Sequence, residues 1–336
     1  MKFSLGLPTG MEGMMYPVPF AKPDDLIEVA KFAEELGYDS VWGNDHMTTQ
    51  KYVRDEFDTP PNFWEVLITL SAIAAETTSL GLATGVLVPA MRRDIVVLAK
   101  QIATLDQFSN GRVRLAMGVG AYREEFEALN PNWKVHRGNL LAECVQALNV
   151  LFTERTASWE GTYYQYKDVE MYPKPVQSPF PFYIGGNNAN AVKRAALYGR
   201  GWMGAGMPVG QMAQAVKRLK TIAEENGRDP SEIEIAPQFV ACVDRDHASA
   251  SERFMNSQMY QHLVSLFGTT LKDQVKDGID FEEMDLIGTV EEIVEKVQQY
   301  EAVGVDHVCG IMFTANSVSE FRDQMQMFAE GVISKF

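Results

Sequence analysis

The sequence places its most reactive polar cluster at Asn44-Asp45-His46. A histidine exchanges a proton near neutral pH, and a carboxylate beside it can fix its tautomer, so Asp45 and His46 read as an acid–base pair. The other four histidines offer less: His136 begins a helix, His247 and His262 fall in a long insertion, and His307 opens an apolar strand. A second kind of chemistry is carried by glycine. Thr84-Gly85-Val86, Gly118-Val119-Gly120 and Gly185-Gly186-Asn187-Asn188 each stand where an apolar run gives way to a loop. Glycine at such a point lets the backbone approach a flat or phosphorylated ligand. The last of the three enters a helix near Asn188, whose free N–H groups and positive end suit an anion. Turn geometry explains any one of these glycines; several at separate strand ends point to a ligand.

A frame must bring these residues together. Short β-type runs alternate with longer helical ones. Strands are predicted at Lys2–Leu7, Asp39–Trp42, Ser79–Gly85, Arg112–Val119, Phe182–Gly185, Gly201–Met203, Glu234–Val240 and Val305–Ile311. Helices are predicted at Pro23–Leu36, Asn62–Glu76, Arg92–Phe108, Tyr122–Leu129, His136–Phe152, Asn188–Tyr198, Val209–Asn226 and Ser317–Val332, with a helical region over Ala248–Phe267. Ser317 and Glu320 have capping-box spacing. Eight strands, each followed by a helix, give the count of an α/β (β/α)8 TIM barrel. A doubly wound sheet is disfavoured because the first turn, Leu7-Pro8-Thr9-Gly10, lacks GxGxxG. The 336 residues then form a single barrel domain with insertions after strands four and seven, about 120–177 and 244–287. Active sites of such barrels lie at the carboxyl ends of the strands, where the residues above would gather.

Composition narrows the function. Thirty Lys and Arg against 45 Asp and Glu leave a net charge of −15, which argues against nucleic-acid and anionic-membrane surfaces. The three cysteines, Cys144, Cys242 and Cys309, have neither disulfide nor zinc spacing. No metal motif, P-loop or GxSxG elbow occurs. The apolar run at Met1–Leu7 is too short for a signal peptide, and no stretch reaches about 20 apolar residues, so a soluble cytoplasmic protein is expected. With little chemistry of its own, a barrel with glycine at its strand ends is expected to bind a cofactor that performs the difficult step.

In these segments the chain resembles the luciferase-like monooxygenase superfamily, barrel enzymes that use reduced flavin or the deazaflavin coenzyme F420. The resemblance rests on Gly37-Tyr38-Asp39-Ser40-Val41-Trp42 with Asp45-His46, on Leu80–Val86, and on Ile95–Asp106 with Gly111-Arg112. It continues through Gly118-Val119-Gly120 with Glu124-Glu125-Phe126, Tyr172–Gln177 and Tyr183-Ile184-Gly185-Gly186. It implies that His46 is the active-site histidine, and that Thr84, Gly85 and Val86 back the cofactor ring, with a non-proline cis peptide at Gly85–Val86. It also implies that Gly118, Val119, Gly120, Gly185, Gly186, Asn187 and Asn188 contact the cofactor, Gly185, Gly186 and Asn187 near its phosphate, and that the protein is a homodimer. Two departures limit it. Luciferases carry arginine where this chain has Val119, and deazaflavin sugar-phosphate dehydrogenases carry an acid where it has Ala121.

Two mechanisms follow. With reduced FMN, supplied by a separate flavin reductase, O2 adds to form a flavin peroxide that oxygenates a small organic substrate, and His46 manages protons; this is the favoured reading. With coenzyme F420 the same barrel transfers hydride. A non-catalytic flavin-binding barrel is the alternative of another class. Met11, Met14, Met15, Tyr16, Phe57 and Trp64 supply apolar material for the mouth, and Arg92, Arg93, Arg123, Arg137, Lys193 and Arg194 are expected as a basic rim for a phosphate.

Overall fold

A computed structural model describes residues 1–268 and 280–336. Its frame is a ring of parallel strands: β1 (Lys2–Leu7), β2 (Ser40–Gly43), β3 (Gly81–Leu87) and β4 (Val113–Met117), then, after a hairpin of β5 (Ala157–Glu160) and β6 (Gln165–Val169), β7 (Phe182–Gly185) and β8 (Gly201–Met203). The seventh strand of the ring is split by Pro237 into β9 (Glu234–Ile235) and β10 (Gln238–Val243); a short β11 (Leu286–Gly288) and β12 (His307–Phe313) follow. The hydrogen-bonded order is β11-β10-β12-β1-β2-β3-β4-β7-β8-β9. The chain closes the circle, since the N–H of Ala236 reaches Trp202 O at 2.9 Å and that of Gln238 reaches Gly204 O at 2.8 Å. The fold is a TIM barrel, as the alternation requires.

The helices that return the chain between strands are α1 (Pro23–Glu35), α3 (Val66–Glu76), α4 (Ile95–Phe108), α6 (Arg137–Thr153), α7 (Ala189–Tyr198), α8 (Val209–Glu225), α12 (Val290–Ala302) and α13 (Val318–Gly331). Added at the mouth are α2 (Lys51–Glu56), α5 (Arg123–Leu129), α9 (His247–Met255), α10 (Gln258–Gly268) and α11 (Phe281–Met284). The predicted region Ala248–Phe267 is therefore two helices of the second insertion, with Phe267 outside the residues whose side chains are described. The barrel helix that follows the seventh strand is α12, which packs on α8. Its start is fixed by a capping box in which Thr289 takes the N–H of Glu292 and Glu292 takes that of Thr289. At α13 the box is incomplete: Ser317 caps Glu320, but the Glu320 carboxylate accepts from Asn316 instead.

Alternate residues of the strands fill the interior unevenly. Trp42, Ala83, Ala116, Tyr183, Met203, Ala236 and Cys309 form a cluster of their own, in which Trp42 meets Tyr183 edge-on. Toward the amino ends of the strands lies a polar layer. Ser4 joins Ser40 and His307 at 2.6 Å each, Arg114 pairs with Asp39, and Tyr183 donates to Glu234. Toward the carboxyl ends the interior residues are glycines, Gly6 and Gly310 among them, and a Cβ on Gly6 would stand 2.8 Å from Gly310 O. The barrel is thus plugged by polar side chains at one end, while at the other, the open end, glycine backbone leaves room that Met312, Gln238 and Met203 partly take.

The loop from α3 into β3 is held from two sides. Arg112 donates to the carbonyls of Ala74, Thr77 and Leu80, while the Glu34 carboxylate accepts the N–H groups of Thr78, Ser79 and Leu80. Burial opposes ionisation of Glu34, but these donors outweigh it and lower its pKa from 4.5 to about 2. A depressed pKa means that the stabilisation is complete above pH 4.5 and is lost as the pH falls toward 2. Glu34→Gln is expected to flatten the dependence of the urea midpoint on pH across that window. Arg112→Met leaves several carbonyls without donors and should cost about 2–3 kcal/mol at neutral pH, measured by urea denaturation.

Candidate active site

Three loops at the open end converge on His46. The first is locked by Asn44, whose Oδ1 accepts from Thr9 Oγ1 at 2.8 Å and from the Gly10 N–H at 2.9 Å, while its Nδ2 donates to Gly10 O. Asp45 turns the other way. Its buried carboxylate receives Arg92 Nη2 at 2.7 Å, Arg92 Nε at 3.3 Å and the Val88 N–H at 3.1 Å, tying the β2 loop to the β3 loop. Arg92 also donates to Glu65 at 2.5 Å. Burial lifts the Asp45 carboxyl above the usual carboxylate range, with Arg92 opposing that rise. The expectation that Asp45 orients the histidine is therefore corrected: its oxygens are committed to Arg92 and Val88.

Glu125 does the orienting. Its carboxylate is 1% exposed, and Oε2 lies 3.0 Å from His46 Nδ1. The other oxygen accepts the N–H groups of Met47 at 2.6 Å and Thr48 at 3.3 Å. With Nδ1 as the donor to Glu125, Nε2 is the nitrogen left for a substrate. The ring lies beside Phe63 and Tyr122, with centroids at 5.7 and 5.8 Å. Tyr122 approaches Tyr52 at 3.4 Å, oxygen to oxygen, and Tyr52 OH lies 2.8 Å from His262 Nδ1. Burial, with the charge of His46 nearby, pushes the His262 pKa down to about 3, so this second histidine stays neutral. Glu125, Tyr52, Phe63 and His262 were not legible as site residues. Glu125 stood in the sequence only as part of a motif, and its approach to His46 spans 79 positions.

The glycine-rich strand ends meet where the resemblance places a cofactor ring. Gly85–Val86 is a non-proline cis peptide, as expected. Thr84 is buried and donates to Ala116 O at 2.7 Å. Val86 occupies the space that side chains at two neighbouring strands would fill: a Cβ on Gly118 would lie 2.5 Å from Val86 Cγ2, and one on Gly185 2.6 Å from Val86 Cγ1. The carbonyls of Val119 and Gly120 both accept from Arg137 Nη1 at 2.9 Å. At the next loop, Gly186 has φ +116° and is exposed, a conformation that favours glycine. The Asn187 side chain clasps the backbone of Ala205, with Ala205 N–H to Oδ1 at 2.6 Å, and Asn188 caps α7 by accepting from Ala191 at 2.9 Å. Val86 takes the room that side chains at 118 and 185 would need, so these strand ends present backbone and one small apolar side chain, a surface that suits a planar ring.

Other expected contributors are elsewhere. Tyr16 is fully buried, stacks on Phe20 and donates to Phe313 O, while Met11 and Met14 are buried with it; these are core residues. Arg92 is neutralised by Asp45 and Glu65, Arg123 pairs with Glu127, and Arg93 lies over Trp133. Among the described helices none is long and apolar enough to cross a membrane.

The chain matches the family model for luciferase-like monooxygenases over residues 1–307. It is 32% identical over 237 residues to an F420-dependent glucose-6-phosphate dehydrogenase of Amycolatopsis mediterranei, covering 68% of each chain. It is 25% identical over 259 residues to an FMNH2-dependent dimethylsulfone monooxygenase of Pseudomonas putida, covering 70% of this chain and 69% of that one. Among solved structures it is similar to an F420-dependent secondary alcohol dehydrogenase in complex with an F420-acetone adduct, with TM-score 0.80 and 22% identity over 99% of this chain and 98% of that one.

The two acids beside the histidine should separate on substitution. Asp45→Ala leaves Arg92 buried without its main partner and is expected to cost about 3–5 kcal/mol of stability by chemical denaturation. Unchanged stability with lost turnover would return Asp45 to a catalytic role.

Proposed function

Because the chain belongs to the luciferase-like monooxygenase family, we propose that it is an F420-dependent oxidoreductase that moves hydride to or from an oxygen-bearing carbon of a small organic substrate. The observation that carries this reading is the His46–Glu125 pair, which leaves Nε2 as the one uncommitted nitrogen of the ring. Bound deazaflavin supplies a two-electron hydride carrier; the residues of the chain supply the rest. In the oxidising direction His46 Nε2 takes the proton of the substrate hydroxyl, and the Glu125 carboxylate stabilises the imidazolium that results. In the reducing direction the same nitrogen returns the proton. Gly85, Val86, Gly118 and Gly185 would seat the ring, and Phe63 and Tyr122 would keep water from the reacting atoms. Relatives named as F420-dependent dehydrogenases support the choice of carrier. Ala121 stands where deazaflavin sugar-phosphate dehydrogenases carry an acid, and this departure favours another organic alcohol or carbonyl compound over a sugar phosphate as the substrate.

A second reading, a monooxygenase using reduced FMN, O2 and a partner flavin reductase, draws on the aromatic surroundings of His46 and on the dimethylsulfone monooxygenase relative. The homodimer that the resemblance implies would have material in Ile68 of α3 and Val97 and Phe108 of α4, all more than half exposed on two helices packed together.

Equilibrium binding and anaerobic single-turnover assays with F420 and with FMN decide between the carriers. Turnover with F420 that is indifferent to oxygen is expected; a strict oxygen requirement with FMN would favour the second reading, and binding of neither would overturn both. His46→Ala should lower turnover by about 10²–10⁴-fold. Glu125→Gln should lower kcat by about tenfold or more while cofactor Kd stays constant; an unaltered kcat would remove Glu125 from the mechanism.

A further inference from the structure

Gln50 occupies the N-cap position of α2, yet its side chain gives that helix no capping hydrogen bond. The main chain around it is pinned by other means. Gln50 O accepts the Arg54 N–H at 3.1 Å, and the next N–H, that of Lys51, donates to Glu124 Oε1 at 3.0 Å. With the backbone so held, the side chain turns back toward the loop after β2, and the residue is only 1% exposed. One end of its amide, Nε2, lies 3.2 Å from His46 Nδ1. The other end, Oε1, is buried without a hydrogen-bond partner among the described residues.

The two contacts at Nδ1 conflict. A ring nitrogen has either a hydrogen to give or a lone pair to receive one. The Glu125 carboxylate, whose other oxygen accepts from Met47 and Thr48, takes the hydrogen of Nδ1 at 3.0 Å. Nδ1 then has nothing with which to accept from an amide N–H. A half-turn about the last torsion of Gln50 resolves the conflict, because the oxygen and nitrogen of an amide are nearly alike in shape. The oxygen comes to Nδ1–H as a second acceptor beside Glu125, in a three-centre bond. The amide nitrogen then takes the enclosed place of Oε1, so the unpaired end costs stability in either orientation. A leucine or methionine would fill the space without that cost. Packing gives no reason for glutamine here, whereas the bond to His46 does.

We propose that Gln50 is a positioning residue that shares the Nδ1 hydrogen of His46 with Glu125 and so holds the ring in one tautomer, with Nε2 free for the substrate. This rests on the reading of His46 as the proton-transfer group. Glu125 reaches the ring from α5 and Gln50 from the start of α2, so rotation of the imidazole has to break bonds to two separate elements.

The test reads His46 in the chain without cofactor or substrate. Histidine is labelled with 15N, and the His46 ring signals are identified by their loss in His46→Ala. The wild type should show the Nδ1–H tautomer. Gln50→Leu should speed exchange of the Nδ1 hydrogen with water by about 2–10-fold, while the urea midpoint stays the same or rises. Gln50→Met, of nearly the same length, should behave alike and serves if Gln50→Leu does not fold. Gln50→Glu restores an acceptor and should return the exchange to the wild-type rate. Unchanged exchange in both apolar variants would overturn the proposal, and so would an Nε2–H tautomer in the wild type. Faster exchange in step with a lowered urea midpoint, or in Gln50→Glu as well, would overturn it too, as general loosening of the loop. Turnover is read separately: Gln50→Leu should lower kcat by about 2–10-fold with cofactor Kd unchanged, and a kcat indifferent to Gln50 in an active enzyme would remove the positioning role. If the wild type turns over with neither F420 nor FMN, the functional reading fails by itself, and the 15N spectra still decide whether Gln50 holds the ring.

Discussion

The buried carboxylate of Glu125 faces a requirement that shapes the whole mouth. A carboxylate taken from water needs several donors, and Glu125 finds them in His46 and in the N–H groups of Met47 and Thr48. The bond joins the segment after β4 to the loop after β2, and it selects which nitrogen of His46 faces outward. The His46 ring that it holds lies beside Tyr122 and Phe63. The hydrogen bond is at once the electrostatic compensation for a buried charge and the device that fixes the His46 ring.

Charge is handled by the same logic elsewhere at the open end. Asp45 and Glu65 share the one cation Arg92, which leaves that set a single negative charge, and Arg137 is absorbed by two carbonyls. Such compensation is the usual condition of a partly buried ion. Arg194 departs from it, since its buried Nε has no partner among the described residues.

The barrel was legible because the order of strands and helices is set by local periodicity and short-range capping. Pro23, Gly37 and the turn at Asn110-Gly111 mark element ends without help from distant residues. The α12 helix was missed although Thr289 and Glu292 carry the capping signal, since the helical region Ala248–Phe267 was taken as the helix that follows the seventh strand. The placing of His46 and of the glycine strand ends at the mouth was legible from type and position. The partner of His46 was not, because adjacency in sequence favoured Asp45 while a strand end sends neighbouring side chains in opposite directions. Tyr16 was read toward the mouth, yet its hydroxyl finds Phe313 O inside the core. Contacts between loops depend on the closed ring of strands, which no local pattern encodes.

Val86 stands over two strands to which it does not belong. Because Gly118 and Gly185 owe their missing side chains to its two methyl groups, positions 86, 118 and 185 share a single volume. Across descendants of this chain they are bound to vary as a set: a larger residue at either glycine demands a smaller one at 86, and remodelling of the floor for a bulkier ring or substrate has to begin with the valine.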